Sequence, residues 1–187
     1  ALHNAPFLQL SSSTERALML ARQESFGPSG GTRPGIQQMV VMVTEGRTAD
    51  ESKATEEANL LKSLGAEIVV VGVARVNRSA LTDIASDPTD VFISDTYEEL
   101  QELPKEIALK TAEKAPQFKT TADILFILDS SGSISPEDYQ KQLDFVVHVT
   151  ANFNIGPNDV LFSVMVFACS PVMLFNFSVT SHDEVKR

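Results

Sequence analysis

Cysteine is nearly missing from this sequence: Cys169 is the only one in 187 residues. A single thiol closes no internal disulfide, so sulfur says nothing about compartment, and the expected role for Cys169 is a buried, inert side chain. Basic residues are also scarce, 15 against 25 acidic ones, for a formal charge of −10 at pH 7. Without a basic stripe to neutralise phosphates, nucleic acid is excluded as a partner. Long apolar runs are absent too. None approaches the roughly 20 residues that span a bilayer, so no membrane span is expected. The opening Ala1-Leu2-His3-Asn4-Ala5-Pro6 has no basic n-region and no extended apolar stretch, so no signal peptide is expected in it. A mature secreted chain would begin in the same way. The glycine-rich loop Gly27–Gly35 lacks the lysine of a phosphate-binding loop and precedes a strand instead of following one. It is expected to be a flexible surface connection.

What is present is a core. Hydrophobic residues make up 43% of the chain, enough for one ordinary α/β domain. The run Gln38–Thr44 is continuously apolar, as buried strands are. A helix follows over Asp50–Leu64, with small or apolar residues at Ala54, Ala58, Leu61 and Leu64 and a stop at Gly65. Next come a strand Glu67–Val73, a short helix Ser79–Ala85, a strand Val91–Ser94 and an amphipathic helix Tyr97–Lys114. This alternation predicts a parallel sheet with helices on both faces. Residues 115–121 interrupt it as a linker. The rhythm resumes with a strand Asp123–Asp129 and a helix from Pro136 to Phe153, capped by Ser135. Two strands then lie close together, Val160–Ala168 and Val172–Phe175, which predicts an antiparallel pair. The expected fold is α/β and doubly wound: a mostly parallel six-stranded sheet with one antiparallel edge strand. Ser181–Arg187 reads as the capped first turn of a further helix.

Chemistry concentrates in Asp129-Ser130-Ser131-Gly132-Ser133, where an apolar strand ends and a helix is about to begin. Ligands of open α/β sheets bind at the carboxyl ends of strands. One carboxylate and two hydroxyls two residues apart offer the hard oxygen donors that Mg²⁺ accepts, with water completing the shell. Gly132 allows the tight turn that aims both hydroxyls at one point. A second interpretation of the same residues has the serines merely capping the following helix.

These residues resemble the first strand and metal-binding loop of von Willebrand factor A domains, found in matrilins, collagen VI and integrin inserted domains. Residues 145–153, 160–167 and 172–177 are similar to the family's next helix and two strands. Ala5–Leu20, Met39–Gly46, Ala66–Val73, Leu81–Ala85 and Phe92–Leu103 are similar to its second half, with Val43-Thr44-Glu45-Gly46 at the family's T-D-G strand end. The two parts stand in swapped order. The resemblance therefore implies one circularly permuted domain over residues 1–187, with 1–114 the family's later part and 122–187 its earlier part. In a hypothetical join of Arg187 to Ala1, Val185 and Leu2 fall four residues apart, on one helical face. Closing such a linker costs roughly 2 kcal/mol of loop entropy. Two rival organisations carry the same pattern: a slice of a tandem array whose halves belong to neighbouring domains, and a dimer that exchanges halves.

The resemblance also implies the rest of a metal site. The family adds a threonine hydroxyl from a T-x-T loop and an aspartate after its fourth strand. Ser12 stands at the threonine position, with Thr14 as the fallback, and Glu45 stands at the aspartate position. The implied ligands are Asp129, Ser131, Ser133, Ser12 and Glu45, and the implied ion is Mg²⁺, or Mn²⁺ or Ca²⁺. Glu45 keeps the charge but carries one extra methylene, and Mg²⁺ demands near-ideal geometry at roughly 2.0–2.1 Å; a vestigial site is the alternative. Function by resemblance is adhesion in the extracellular matrix, where an acidic residue of a protein ligand completes the metal's coordination. An intracellular scaffold subunit of a larger complex is the second hypothesis. A hydrolase lacks its constellation, because Ser131 has neither a nucleophile elbow nor a partnered histidine.

Other features take simpler roles. Asn77-Arg78-Ser79 and Asn176-Phe177-Ser178 fit the glycosylation acceptor pattern. His3, His148 and His182 are scattered surface or helix-face residues. Phe162, Phe167, Phe175 and Phe177 are strand core, and Asp87, Asp90, Asp95, Glu98, Glu99 and Glu102 form a solvated acidic rim.

Overall fold

A computed structural model describes residues 2–46, 48–74, 76–113, 121–179 and 181–186. Six strands form one sheet: β1 (Gln37–Thr44), β2 (Glu67–Val73), β3 (Val91–Ser94), β4 (Ala122–Asp129), β5 (Val160–Phe167) and β6 (Val172–Val179). Their spatial order is β3-β2-β1-β4-β5-β6. All neighbours are parallel except β5 and β6, which are antiparallel. The valine- and isoleucine-rich runs of β1, β2 and β4 occupy the centre, where a strand needs apolar side chains on both faces. Every residue of β4 is buried.

Among the described residues six α-helices cover the sheet: α1 (Thr14–Leu20), α2 (Glu51–Ser63), α3 (Arg78–Ile84), α4 (Pro104–Glu113), α5 (Pro136–Thr150) and α6 (His182–Lys186). Leu18 of α1, Ala54, Ala58 and Leu61 of α2 and Leu81 of α3 pack on one face, against Val40, Val70, Leu125 and Met165. Ile107 of α4, Leu143, Val146 and Val149 of α5 and Val185 of α6 pack on the other, against Val41, Phe126 and Val164. Leu2 and Val185, expected on one helical face, are both buried in that second core. The phenylalanines expected in the core are there: Phe162 and Phe167 are fully buried and Phe177 nearly so, with Phe175 half-buried. Among the described residues no helix is long and apolar enough to cross a membrane.

Several boundaries differ from expectation, each for a local reason. The single helix predicted over Tyr97–Lys114 is broken. A 3-10 turn covers Glu99–Glu102, and α4 starts afresh at Pro104, whose missing N–H suits a first helical position. The linker 115–121 lies outside the described residues except for Thr121. Helix α5 stops at Thr150 and unwinds through turns to Phe153, and α3 begins one residue early, because Asn77 caps it by accepting from the Ser79 N–H. Strand β6 continues to Val179 because register shifts let it bend past β5 beyond Phe175.

Three expectations about individual residues and loops are corrected. The Gly27–Gly35 loop is anchored: the Arg33 guanidinium donates to Asp123 Oδ1 at 2.6 and 2.8 Å, and the Arg33 N–H to Oδ2 at 2.7 Å. The acidic rim loses Asp90, which is fully buried with Lys110 Nζ at 3.4 Å. Cys169 is half-buried, not fully so.

Candidate metal centre

The sheet order reverses direction between β1 and β4. From β1 the chain winds outward to β2 and β3; from β4 it winds the other way, to β5 and β6. Such a switch point leaves a crevice at the carboxyl ends of the two central strands. Seven backbone positions, Gln37↔Ala122 through Val43↔Leu128, hold β1 and β4 in parallel register. That register places Thr44 and Glu45 beside Asp129. All five residues predicted as metal ligands converge there.

Asp129 lies at the centre and is fully buried. Its Oδ1 accepts from the Ser131 N–H at 3.0 Å, and its Oδ2 accepts from Ser12 Oγ at 3.4 Å and Thr44 Oγ1 at 3.2 Å. Burial pushes its carboxyl above the usual range, and the Ser131, Thr44 and Glu45 hydrogen bonds only partly oppose this. Among the described residues no lysine or arginine pairs with it. A buried carboxylate without a cation is costly, and a bound divalent ion would offset that cost.

A second set of polar contacts surrounds this carboxylate. Ser131 Oγ lies 3.3 Å from Ser133 Oγ, and Ser133 Oγ donates to Glu45 Oε2 at 2.6 Å. Neither serine caps α5; Ser135 does, accepting from the Asp138 N–H at 3.1 Å. Ser12, not Thr14, reaches the carboxylate, while Thr14 sits at the start of α1 beside a small neighbouring cavity with Thr44 and Gly46. The hydroxyls line a cleft of about 460 Å³ together with Leu10, Ser11, Thr48, Ala49 and Gly132. Among the described residues no three His, Cys, Asp or Glu side chains cluster around one point. The donor set is therefore hydroxyl-rich, with Asp129 and Glu45 its acidic members. Hard oxygen donors with room for water fit a Mg²⁺-like ion.

Three supporting residues escaped the sequence reading. Thr44 was seen only as a strand end. Tyr97 was assigned to a helix, yet its hydroxyl lies 3.4 Å from Glu45 Oε1, and burial together with the Glu45 charge pushes its ionisation far upward. Gln142 is fully buried on α5, and its Nε2 donates to the Asp129 carbonyl at 2.8 Å. A polar residue at i+3 from Tyr139, on the apolar stripe, was the available signal. His148 and His182 are exposed, and His148 Nδ1 lies 3.0 Å from Gln101 Oε1. The His3 side chain lies outside the described residues.

The von Willebrand factor type A domain model matches residues 1–106 and 123–187. The chain belongs to that family. The human collagen alpha-6(VI) chain is 30% identical over 152 residues, which cover 80% of this chain and 7% of that one. Human von Willebrand factor A domain-containing protein 2 is 27% identical over 177 residues, 89% of this chain and 22% of that one. The chain thus spans under a quarter of either relative. Among solved structures, proximal thread matrix protein 1 from the mussel byssus is 26% identical with a TM-score of 0.50, over 94% of this chain and 48% of that one.

Proposed function

We propose that this A domain binds a protein ligand through a divalent metal, Mg²⁺ in the first instance, held by Asp129, Ser131, Ser133, Ser12 and Glu45. The single observation that carries this is Asp129: a fully buried carboxylate without a cationic partner among the described residues, ringed by hydroxyls that open onto a cleft. When bound, the ion supplies a positive charge and an exchangeable coordination position. The residues of the chain do the rest. Asp129, held by the Ser131 N–H and Thr44, would hold the ion together with Ser131, Ser133, Ser12 and Glu45, and the cleft would admit an acidic side chain of the ligand. The role is binding, not turnover. Placement in the extracellular matrix is supported by the similarity to collagen VI chains. The deciding experiment is a calorimetric Mg²⁺ titration of the wild type beside Asp129→Ala. Binding heat in the wild type alone supports the site, and identical traces sink it.

For the organisation of the chain we propose a single permuted domain, closed on itself along the β1–β4 seam. One observation favours a second reading. The matches of 152 and 177 residues exceed the length of either family-matched segment, so both relatives carry the two segments in this same order. Consecutive A domains of a longer protein produce that order where one ends and the next begins. Mixing an Asp129→Ala copy with a Glu45→Ala copy separates a self-closed chain from one whose segments pair with those of another copy. Exchanged segments restore an intact site in the mixture, whereas self-closed chains do not.

A further inference from the structure

We infer that the cleft beside the metal position is a subsite for an aliphatic side chain neighbouring the ligand's carboxylate, with Leu10 as its anchor. This rests on the metal-binding reading above. Leu10 is 55% exposed, and a lone exposed leucine ordinarily needs no explanation. This one is held in place. Gln9 adopts φ 56°, a left-handed conformation uncommon outside glycine, at the residue just before it. The Gln9 N–H donates to the Ser130 carbonyl at 3.0 Å, and the Gly132 N–H to the Leu10 carbonyl at 2.9 Å. Two backbone bonds therefore sew the Gln9–Leu10 turn onto the loop that carries Ser131 and Ser133. The approach is close enough that a Cβ at Gly132 would meet the Gln9 carbonyl oxygen at 2.9 Å. A turn fixed in this way presents Leu10 at little cost in chain entropy on binding.

The character of the cleft matches. Leu10 and Ala49 line it together with Ser12, Ser131 and Ser133, and among the described residues no charged side chain does. Among the described residues Leu10 and Ala49 supply its apolar wall. Beyond the carboxylate taken by the metal, the wall favours an apolar group. The ligand class is thus an acidic residue flanked by a leucine-like one.

The test titrates the Mg²⁺-loaded chain with acetate, butanoate and 4-methylpentanoate, following chemical shifts in NMR. Each methylene buried against Leu10 strengthens binding by up to about fourfold. The expected order is acetate weakest and 4-methylpentanoate strongest, at least about tenfold apart. In Leu10→Ser, whose side chain is exposed and leaves the core untouched, the three converge within about twofold while Mg²⁺ affinity is unchanged. Equal binding of the three acids by metal-loaded wild type, or an undiminished gradient in Leu10→Ser, overturns the inference and leaves the metal site standing. A wild type that binds no Mg²⁺ overturns both.

Discussion

Glu45 and Ser133, 88 positions apart in the chain, meet through Glu45 Oε2 and Ser133 Oγ at 2.6 Å. The contact ties the end of β1 to the loop after β4, and it shows how the longer side chain of Glu45 is used. Its second oxygen lies 3.4 Å from the Tyr97 hydroxyl, so both ends of the carboxylate are steered. If Glu45 is a ligand, removing its charge while keeping its shape must weaken the metal. Glu45→Gln is expected to lower Mg²⁺ affinity at least tenfold, about 1.4 kcal/mol, and Tyr97→Phe to lower it by a few-fold at most. Calorimetry on the two variants checks this, and unchanged affinity in Glu45→Gln removes Glu45 from the coordination sphere.

Asp129 sets up an exchange between stability and binding. Burial raises its carboxyl in the fold. The sign follows from linkage: a raised folded value favours the protonated form. The resulting stabilisation is complete below the ordinary aspartate value of about 3.9 and is lost as pH rises through the raised one. At neutral pH the metal-free domain therefore carries a cost. Asp129→Asn removes the charge and keeps an acceptor for the Ser131 N–H. Without metal it is expected to melt higher than wild type at pH 7, with the difference shrinking toward pH 4. In excess Mg²⁺ the ranking inverts, because only wild type gains ligand stabilisation. Thermal melts at both pH values, with and without Mg²⁺, test this; an Asp129→Asn domain less stable than metal-free wild type at pH 7 refutes it.

The sheet and the centre of the site were legible because they rest on local signals. Runs such as Ile68-Val69-Val70-Val71 permit little but a buried strand, and D-x-S-x-S at a strand end marks where carboxylate and hydroxyls gather. Matching the swapped segments to the family brought Ser12 and Glu45 to Asp129. What stayed hidden depends on pairs distant in sequence. Arg33 looked like part of a loose loop because its partner Asp123 is 90 residues away. Asp90 looked like one more rim carboxylate because its Lys110 lies on another element. Tyr97 was lost to a helix that Pro104 forbids.

Arg33 makes the first of these hidden pairs measurable. The Asp123 side chain is wholly inaccessible, that of Arg33 is 19% exposed, and the guanidinium also donates to the Ala122 and Pro157 carbonyls at 2.9 and 2.8 Å. Truncating one partner of a buried pair strands the other charge, at about 3–5 kcal/mol. Arg33→Ala is expected to lose that much in urea unfolding, and Arg33→Ala with Asp123→Asn to regain part of it. A loss under about 1 kcal/mol in the single variant would show that the contact is only a surface ion pair.

The two glycosylation patterns, equivalent in sequence, part company in the fold. Asn77 is exposed at the start of α3, and its Oδ1 accepts from the Ser79 N–H at 3.1 Å. That bond uses the oxygen and not the Nδ2 to which a glycan attaches. Asn176 sits in β6 between Phe175 and Phe177, half-buried, and its Oδ1 is buried without a hydrogen-bond partner among the described residues. A sugar there would have to displace the strand's packing against β5. Expression through a eukaryotic secretory pathway is therefore expected to add one glycan to the chain. In intact mass, Asn77→Gln should abolish it and Asn176→Gln should leave it in place. A glycan retained by Asn77→Gln and lost in Asn176→Gln would mean that β6 is not seated on β5 as described.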